Sequence, residues 1–422
     1  MKRETIMKIK NLSIILIALL LGIAISLPSY ADELDQKLTT ALNTTLAQYG
    51  AADGFSALQL SILLPNETTP RDYTVGQQMK DGTCATNSMM VQWGSIIKEF
   101  TSLLLFQYLN KHPGSFSLNT TVETMLPEHF GTSADAWPDA WKKVTIEQLM
   151  NMTSGITEYY NQANFDIHHV STLNSVVEQA ASLEKYRGCQ LDFGCFPAGT
   201  QWYYSNTNYI ILGMMVEKLY QTSFAQVMQQ QVLQKMGGGV VYQTPYSADT
   251  LNRMINGYYE GVWQPYATAG QNVTNINLAF AASAGALTGS TDALVETIHA
   301  LFTDQFLPHA QMQQFLYSGW IRVDTHQAID INSDTAKKVC TNIETCYGLG
   351  FLAHYNATYG QVWEYPGGTL GFVTDYIWMP QENVVIGLSI NTGGPGSPGS
   401  NPLGSLRDQV EQIVYNHLHP GK

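Results

Sequence analysis

The chain has 422 residues, 13% charged and 45% hydrophobic, with a formal charge of −13 at pH 7. Such acidity gives it no general electrostatic attraction to nucleic acid. Length and apolar content suffice for a sizeable core, in one large domain or two interleaved ones.

Residues 1–31 read as a secretory signal peptide. "MKRETIMKIK" is a basic n-region, "LSIILIALLLGIAISL" an apolar h-region, and "SYA" before Asp32 a small-residue cleavage site. An uncleaved membrane anchor is the alternative, because the apolar run is nearly long enough to span. Loss of Lys2, Arg3, Lys8, Lys10 and Glu4 on cleavage would leave a charge of −16. No second apolar run of spanning length follows, so residues 32–422 are expected to be exported, periplasmic or secreted.

"ELDQKLTTALNTTLAQYG" has helical spacing of Leu and Ala and ends on Gly. "FSALQLSILLP" alternates and stops at Pro, predicting a strand. "VQWGSIIKEFTSLLLFQYLNK", residues 91–111, follows as an apolar helix. Residues 119 to roughly 300 read as helix and loop, including "TIEQLMNM", "TNYIILGMMVEKLY" and "TDALVETIHALF". The last third changes character. "CYGLGFLAHY", "GQVWEY", "LGFVTDYIWMP" and "NVVIGLSINT" are apolar-aromatic runs broken by Gly, Pro and Asn, the pattern of an antiparallel meander. "PLGSLRDQVEQIVYNHLH" closes the chain as an amphipathic helix. The order predicts an α+β fold: an antiparallel sheet flanked by N- and C-terminal helices, with an inserted mainly helical subdomain. The cleft between the two parts is the natural place for a site.

Five cysteines punctuate the chain. Cys189 and Cys195, and Cys340 and Cys346, would each close a small loop as a disulfide in an exported protein. A metal site is the other reading of clustered cysteines, but no histidine stands at ligand spacing nearby. Cys84 is left as a buried or a free thiol. The adjacent pair His168 and His169 does not share a helix face and reads as surface.

Three short motifs carry chemistry. Ser95 and Lys98 are three residues apart and so share one helix face, with Gly94 permitting a tight entry. Near the first turn the positive helix end would favour an alkoxide-like oxygen, and a buried Lys98 would lose proton affinity and become a usable base. The plain alternative is a helix-capping serine and a solvated lysine. A second Ser-x-x-Lys, Ser182 to Lys185, shows how weak the motif is alone. Tyr204-Ser205-Asn206 stands on a loop entering an apolar helix; a tyrosine held near a lysine would have lowered proton affinity and relay protons, and Asn206 could bond an ester or amide. Tyr108-Leu109-Asn110 and Tyr159-Tyr160-Asn161 match that motif equally well. Gly367-Gly368, inside "VWEYPGGTLGFVTDYIWMP", suggests close approach of a ligand or backbone, or else a bulge. The Gly368 and Ser95 N–H groups could form an oxyanion hole.

In their order and surroundings these segments resemble the serine β-lactamase and D-Ala-D-Ala carboxypeptidase family, in the branch of class C β-lactamases, related peptidases and β-lactamase-like esterases. "WGSIIKEFTSLLLFQYL", "LNTTVETMLPEHF", "TIEQLMNMTSGITEYY", "PAGTQWYYSNTNYIILGMMVEKL", "SAGALTGSTDALVETIHALF" and "GGTLGFVTDYIWMPQENVVIGLSINT" carry the likeness across most of residues 32–422. The resemblance implies an acyl-enzyme mechanism without metal or organic cofactor. By position, Ser95 is then the nucleophile, Lys98 its base or orienter and Tyr204 a proton carrier. Asn206, Tyr365, Gly367 and Gly368 would contact substrate, and Ser95 and Gly368 would donate the oxyanion-hole N–H groups. One departure matters. The family's third motif begins with Lys or His, whereas this chain has Tyr365-Pro366-Gly367, so the cation that recognises a substrate carboxylate is missing there. The expected substrate is a small ester, amide or peptide rather than a penicillin. A D-Ala-D-Ala carboxypeptidase or β-lactamase, with Arg322 supplying the missing cation, is the first alternative; an inactive binding protein is the second. Trp363, Tyr365 and Tyr203 suggest an aromatic cleft or simply a core. Oligomeric state is open.

Overall fold

Helix α1 (Tyr30–Tyr49) precedes strands β1 (Ala57–Leu63) and β2 (Arg71–Gly76). Helices α2 (Ile97–Lys111), α3 (Leu173–Arg187), α4 (Asn206–Tyr220) and α5 (Thr291–Phe302) follow. The chain then returns as β3 (Ile321–Arg322), β4 (Cys346–Tyr347), β5 (Leu352–Asn356), β6 (Gly360–Gly368), β7 (Val373–Met379), β8 (Val384–Ile390) and α6 (Pro402–Leu418). This computed structural model describes residues 30–77, 82–133, 135–160, 167, 172–187, 194–236, 239–242, 244–261, 267–394 and 402–421. Nearly all of the expected signal peptide, His168, His169 and Cys189 lie outside the described residues.

The sheet runs β2–β1–β8–β7–β6–β5–β4–β3, antiparallel throughout. Its N-terminal strands join the C-terminal meander through β1 and β8, with Leu58 opposite Ile390 and Leu63 opposite Val385. Leu58, Leu60 and Ile62 of β1 face a core completed by Leu34, Leu38 and Leu42 of α1 and Leu406, Val410 and Val414 of α6. The alternation expected for β1 is real, yet all seven of its residues are buried. Of its polar positions, Ser61 meets α5, its Oγ 2.8 Å from Thr291 Oγ1 and donating to Asp72 Oδ1 at 2.7 Å, and Gln59 donates to the Thr86 and Met89 carbonyls. A buried hydroxyl retained with partners costs little; one without them costs about 1–3 kcal/mol.

The second core lies between the other sheet face and the helical layer. Residues 97–107 of α2 and 207–216 of α4 are buried all round, which is how helices apolar on every face are accommodated. Helix α5 packs on β1 and β8, with Gly387 leaving room for Val295. Trp363 belongs to this core, against Phe302, Trp320 and Phe351, so the β6 aromatic at that position is packing rather than cleft. Cys340 and Cys346 form a disulfide. Cys195 is also disulfide-bonded, and Cys84 is free and exposed. Among the described residues no helix is long and apolar enough to cross a membrane.

One charged residue of this core has a measurable consequence. Glu99, on α2, is fully buried; Tyr376 donates to its Oε1, and Oε2 has no partner. Burial pushes its carboxyl well above the ordinary range. A carboxyl that holds its proton more tightly folded than unfolded contributes stability below its unfolded value and loses it as pH rises. Glu99→Gln is therefore expected to gain on the order of 1–2 kcal/mol over the wild type at pH 8. The gap should shrink toward pH 4 in urea titrations.

Candidate active site

The turn that carries Ser95 is set by two glycines. Gly94 has φ +54° and opens a short 3₁₀ segment, Gly94–Ile96, that runs into α2. A Cβ at Gly94 would stand 2.7 Å from Gly368 O and 2.8 Å from Gly368 N. A Cβ at Gly367 would lie 1.8 Å from Trp93 O and 3.2 Å from Ser95 N. Bare backbone on both sides lets the end of β6 press against the serine turn. On its other edge β6 pairs with β5 only through Glu364, so residues 365–368 are free on that side.

Lys98 follows one turn later. It is fully buried, its Nζ 2.8 Å from Ser95 Oγ and donating to the Ala284 carbonyl at 2.7 Å. Burial, opposed by the nearby Glu158 charge, lowers its pKa to about 7. The amine then has a neutral form near pH 7 that is able to accept a proton. The competing motif does not pair: Ser182 and Lys185 are both exposed on α3, and Lys185 Nζ donates to the Ala136 carbonyl.

Tyr204 enters from the loop before α4, and its hydroxyl donates to Ser95 Oγ at 2.7 Å. Its ring lies 5.0 Å from Lys98 Nζ. The expected lowering of its proton affinity is reversed: burial pushes the phenol up to about 12, although bonds to Ser95 and Tyr365 oppose this. Tyr204 is thus a neutral donor at pH 7. Asn206, at the start of α4, lines the Ser95 cavity.

Tyr365 is placed differently. It is buried, its hydroxyl 2.7 Å from that of Tyr347, and it lines no part of the Ser95 cavity. It meets Tyr204 from behind. Arg322 is occupied by Asp324 and lines no wall of that cavity either, so it does not supply the missing cation.

The cavity over Ser95 has about 320 Å³ and is walled by Tyr159, Tyr160, Leu278, Phe280, Gly368 and Thr369 among others. No described wall residue is ionisable at neutral pH. Gly368 and Ser95 both line it.

Two participants were not anticipated. Glu158 is buried, accepts from the Tyr160 N–H at 2.7 Å and from the Asn206 N–H, and raises the proton affinity of Lys98. It follows Ser154-Gly155 in "TIEQLMNMTSGITEYY", where no spacing or neighbouring residue marks it as part of a site. The Ala284 carbonyl, which holds Lys98, leaves no side-chain signal at all.

Gly367→Ala is expected to displace β6 from the serine turn, because both obstructing atoms are backbone. The loss should resemble that of an oxyanion donor, about 10²–10³ in kcat, with a lower melting temperature. Gly368→Ala, whose Cβ meets nothing within 4 Å, should melt like the wild type. Thermal melts beside ester hydrolysis check both.

The family model described as Beta-lactamase matches residues 24–409. Penicillin-binding protein 4* of Bacillus subtilis (strain 168) is 23% identical over 313 residues, which is 72% of this chain and 61% of that protein. The chain thus spans about three fifths of that relative's length. Among solved structures, the D-amino acid amidase of Ochrobactrum anthropi SV3 in complex with D-phenylalanine superposes with a TM-score of 0.70 at 16% identity, covering 91% of this chain and 99% of that one. A D-stereospecific amidohydrolase from Streptomyces sp. gives 0.65 at 19%, covering 92% and 99%. A penicillin-binding protein from Bacillus halodurans gives 0.62 at 17%, covering 88% and 99%. These likenesses share the fold described above, and with the family model matched over most of its length the chain belongs to the β-lactamase family of serine hydrolases.

Proposed function

We propose that the protein is an exported hydrolase that cleaves an ester or amide with an uncharged acyl part through an acyl-enzyme on Ser95. The observation that carries this is the position of Ser95 Oγ, 2.8 Å from a buried lysine and 2.7 Å from a buried tyrosine. Neutral Lys98 takes the Ser95 proton as Oγ attacks the carbonyl carbon. The Ser95 and Gly368 N–H groups hold the oxygen that becomes negative. On collapse the C–N or C–O bond breaks, and the leaving atom takes the Tyr204 proton, which Lys98 replaces. Water then attacks the acyl carbon by the same route in reverse. Asn206 holds the acyl group's polar edge, and Glu158 partly offsets the burial that lowers the proton affinity of Lys98.

The uncharged cavity wall supports a substrate without a carboxylate, and the amidases among the structural neighbours support an amide. Penicillins and D-Ala-D-Ala peptides carry a carboxylate that no described residue lining the Ser95 cavity could pair, so they rank behind substrates without one. The test is intact mass after exposure to a fluorophosphonate, with the adduct mapped by peptide. One adduct on Ser95, then hydrolysis of esters and amides that lack a carboxylate ahead of penicillins, is the expected result. No adduct under conditions that label a known serine hydrolase would overturn the catalytic reading in favour of a binding protein.

A further inference from the structure

A second cavity, of about 650 Å³, adjoins the first. Val373 walls both. Tyr204 lines the second cavity, while its hydroxyl rests on Ser95 Oγ at the edge of the first. The chemistry decides which fragment goes where. The leaving atom must collect its proton from Tyr204, so it departs on the side that Tyr204 faces. Asn206 and Gly368 belong to the first cavity, which therefore holds the acyl part.

The floor of the second cavity is acidic and incompletely paired. Asp375 is 2% exposed, lines the cavity, and its Oδ1 has no hydrogen-bond partner. Its Oδ2 stands 3.8 Å from Arg407 Nη1, too far for a hydrogen bond. Arg407 also lines the cavity, but each of its nitrogens is engaged. Nη1 donates to Glu364 Oε2 at 2.8 Å, and Nε and Nη2 donate to Asp408 Oδ1 at 3.0 and 2.9 Å. Behind them Glu364 and Glu411 are buried, and Glu344 stands exposed on the wall. His354, 3.1 Å from Glu364 Oε1, is the other basic group here. Carboxyl groups outnumber cations here, and of the buried ones Asp375 is the one that lines the cavity with an unpartnered oxygen. Burial and the Glu364 charge push its carboxyl well above the ordinary range, and a cation brought to that oxygen would draw it to the ionised form. Trp202 and Tyr347 add aromatic faces of the kind that accept cations.

We propose that this second cavity is the leaving-group site, and that it takes an amine leaving group with a further positive charge, an ammonium or guanidinium that pairs with Asp375. The inference rests on the acyl-enzyme reading. In the step it serves, the bond from acyl carbon to leaving nitrogen breaks as the Oγ–C bond forms. The nitrogen gains the Tyr204 proton, and the distal cation is unchanged.

The test begins with binding, which needs no turnover. Full-length Ser95→Ala protein is titrated calorimetrically with argininamide, norleucinamide and glutamate at one ionic strength. Argininamide should bind about tenfold or more tightly than norleucinamide. Asp375→Asn should remove that preference and leave norleucinamide unchanged. Glu344→Gln, at an exposed position, should reduce the preference by a smaller factor and stands in if the buried variant does not fold. In the wild type, an N-acyl argininamide should show a correspondingly higher kcat/KM than its norleucinamide counterpart. Equal affinities, or tightest binding of glutamate through Arg407, would overturn the proposal. Serine labelling without selective binding would overturn this inference alone. Selective binding without labelling would overturn the leaving-group assignment together with the acyl-enzyme reading.

Discussion

Ser95→Ala is expected to lower kcat by about 10⁴–10⁶ and to abolish the fluorophosphonate adduct. No other described hydroxyl is held between a lysine with pKa about 7 and a phenol donor. The variant should fold as the wild type does. Lys98 keeps the Ala284 carbonyl, and alanine suits a helical turn. What is lost is one acceptor, for Tyr204. Melting temperatures within a few degrees of each other would confirm that the loss is chemical. Residual activity above about 1% of wild type would point to another nucleophile, since loss of the attacking atom leaves only binding and oxyanion stabilisation.

Lys98→Met separates activity from stability. Removing a general base costs about 10²–10⁴ in rate, so hydrolysis should fall by that factor. In the wild type the acylation rate should rise with pH through a midpoint near 7, as the ammonium of Lys98 loses its proton; the methionine variant should lack that limb. Stability should move the other way. Lys98 binds its proton less tightly folded than unfolded, so its burial is a full penalty below pH 7 and fades toward pH 10.5. Each unit of that shift corresponds to about 1.4 kcal/mol. At pH 6 the variant should therefore be more stable by a few kcal/mol in urea titrations, with the gain narrowing as pH rises. A variant less stable at pH 6 would show that Lys98 is stabilising its surroundings as a cation.

Much of this site was legible because it is local. Ser95 and Lys98 are three residues apart, and helix geometry alone puts them on one face. Gly94 and Gly367 mark close backbone approach, which a side chain would block. The terminal helices and the final meander follow from periodicity and from the Gly, Pro and Asn that break it. What escaped detection depends on contacts between distant segments. Lys98 and Ala284 are 186 positions apart, and nothing in "SAGALTGS" signals that a carbonyl will face a lysine. A lysine close by predicts a Tyr204 that gives up its proton readily. The tertiary structure buries both, and burial of a phenol favours its neutral form while burial of an amine lowers its charge.

The amino-acid sequence by itself determined the family, the order of helices and strands, and the identity of the serine, lysine and tyrosine that meet. Those are carried by short spacings and by patterns of apolar residues, which act within a few turns of chain. Only the tertiary structure decided how deeply Lys98 is buried, that Tyr365 turns inward to Tyr347, that Arg322 is spent on Asp324, and that Asp375 is left with an open oxygen in a second cavity. Each of these is a matter of desolvation and of partners supplied by segments far away in sequence, and proton affinity and ligand charge depend on that surrounding rather than on the residue itself.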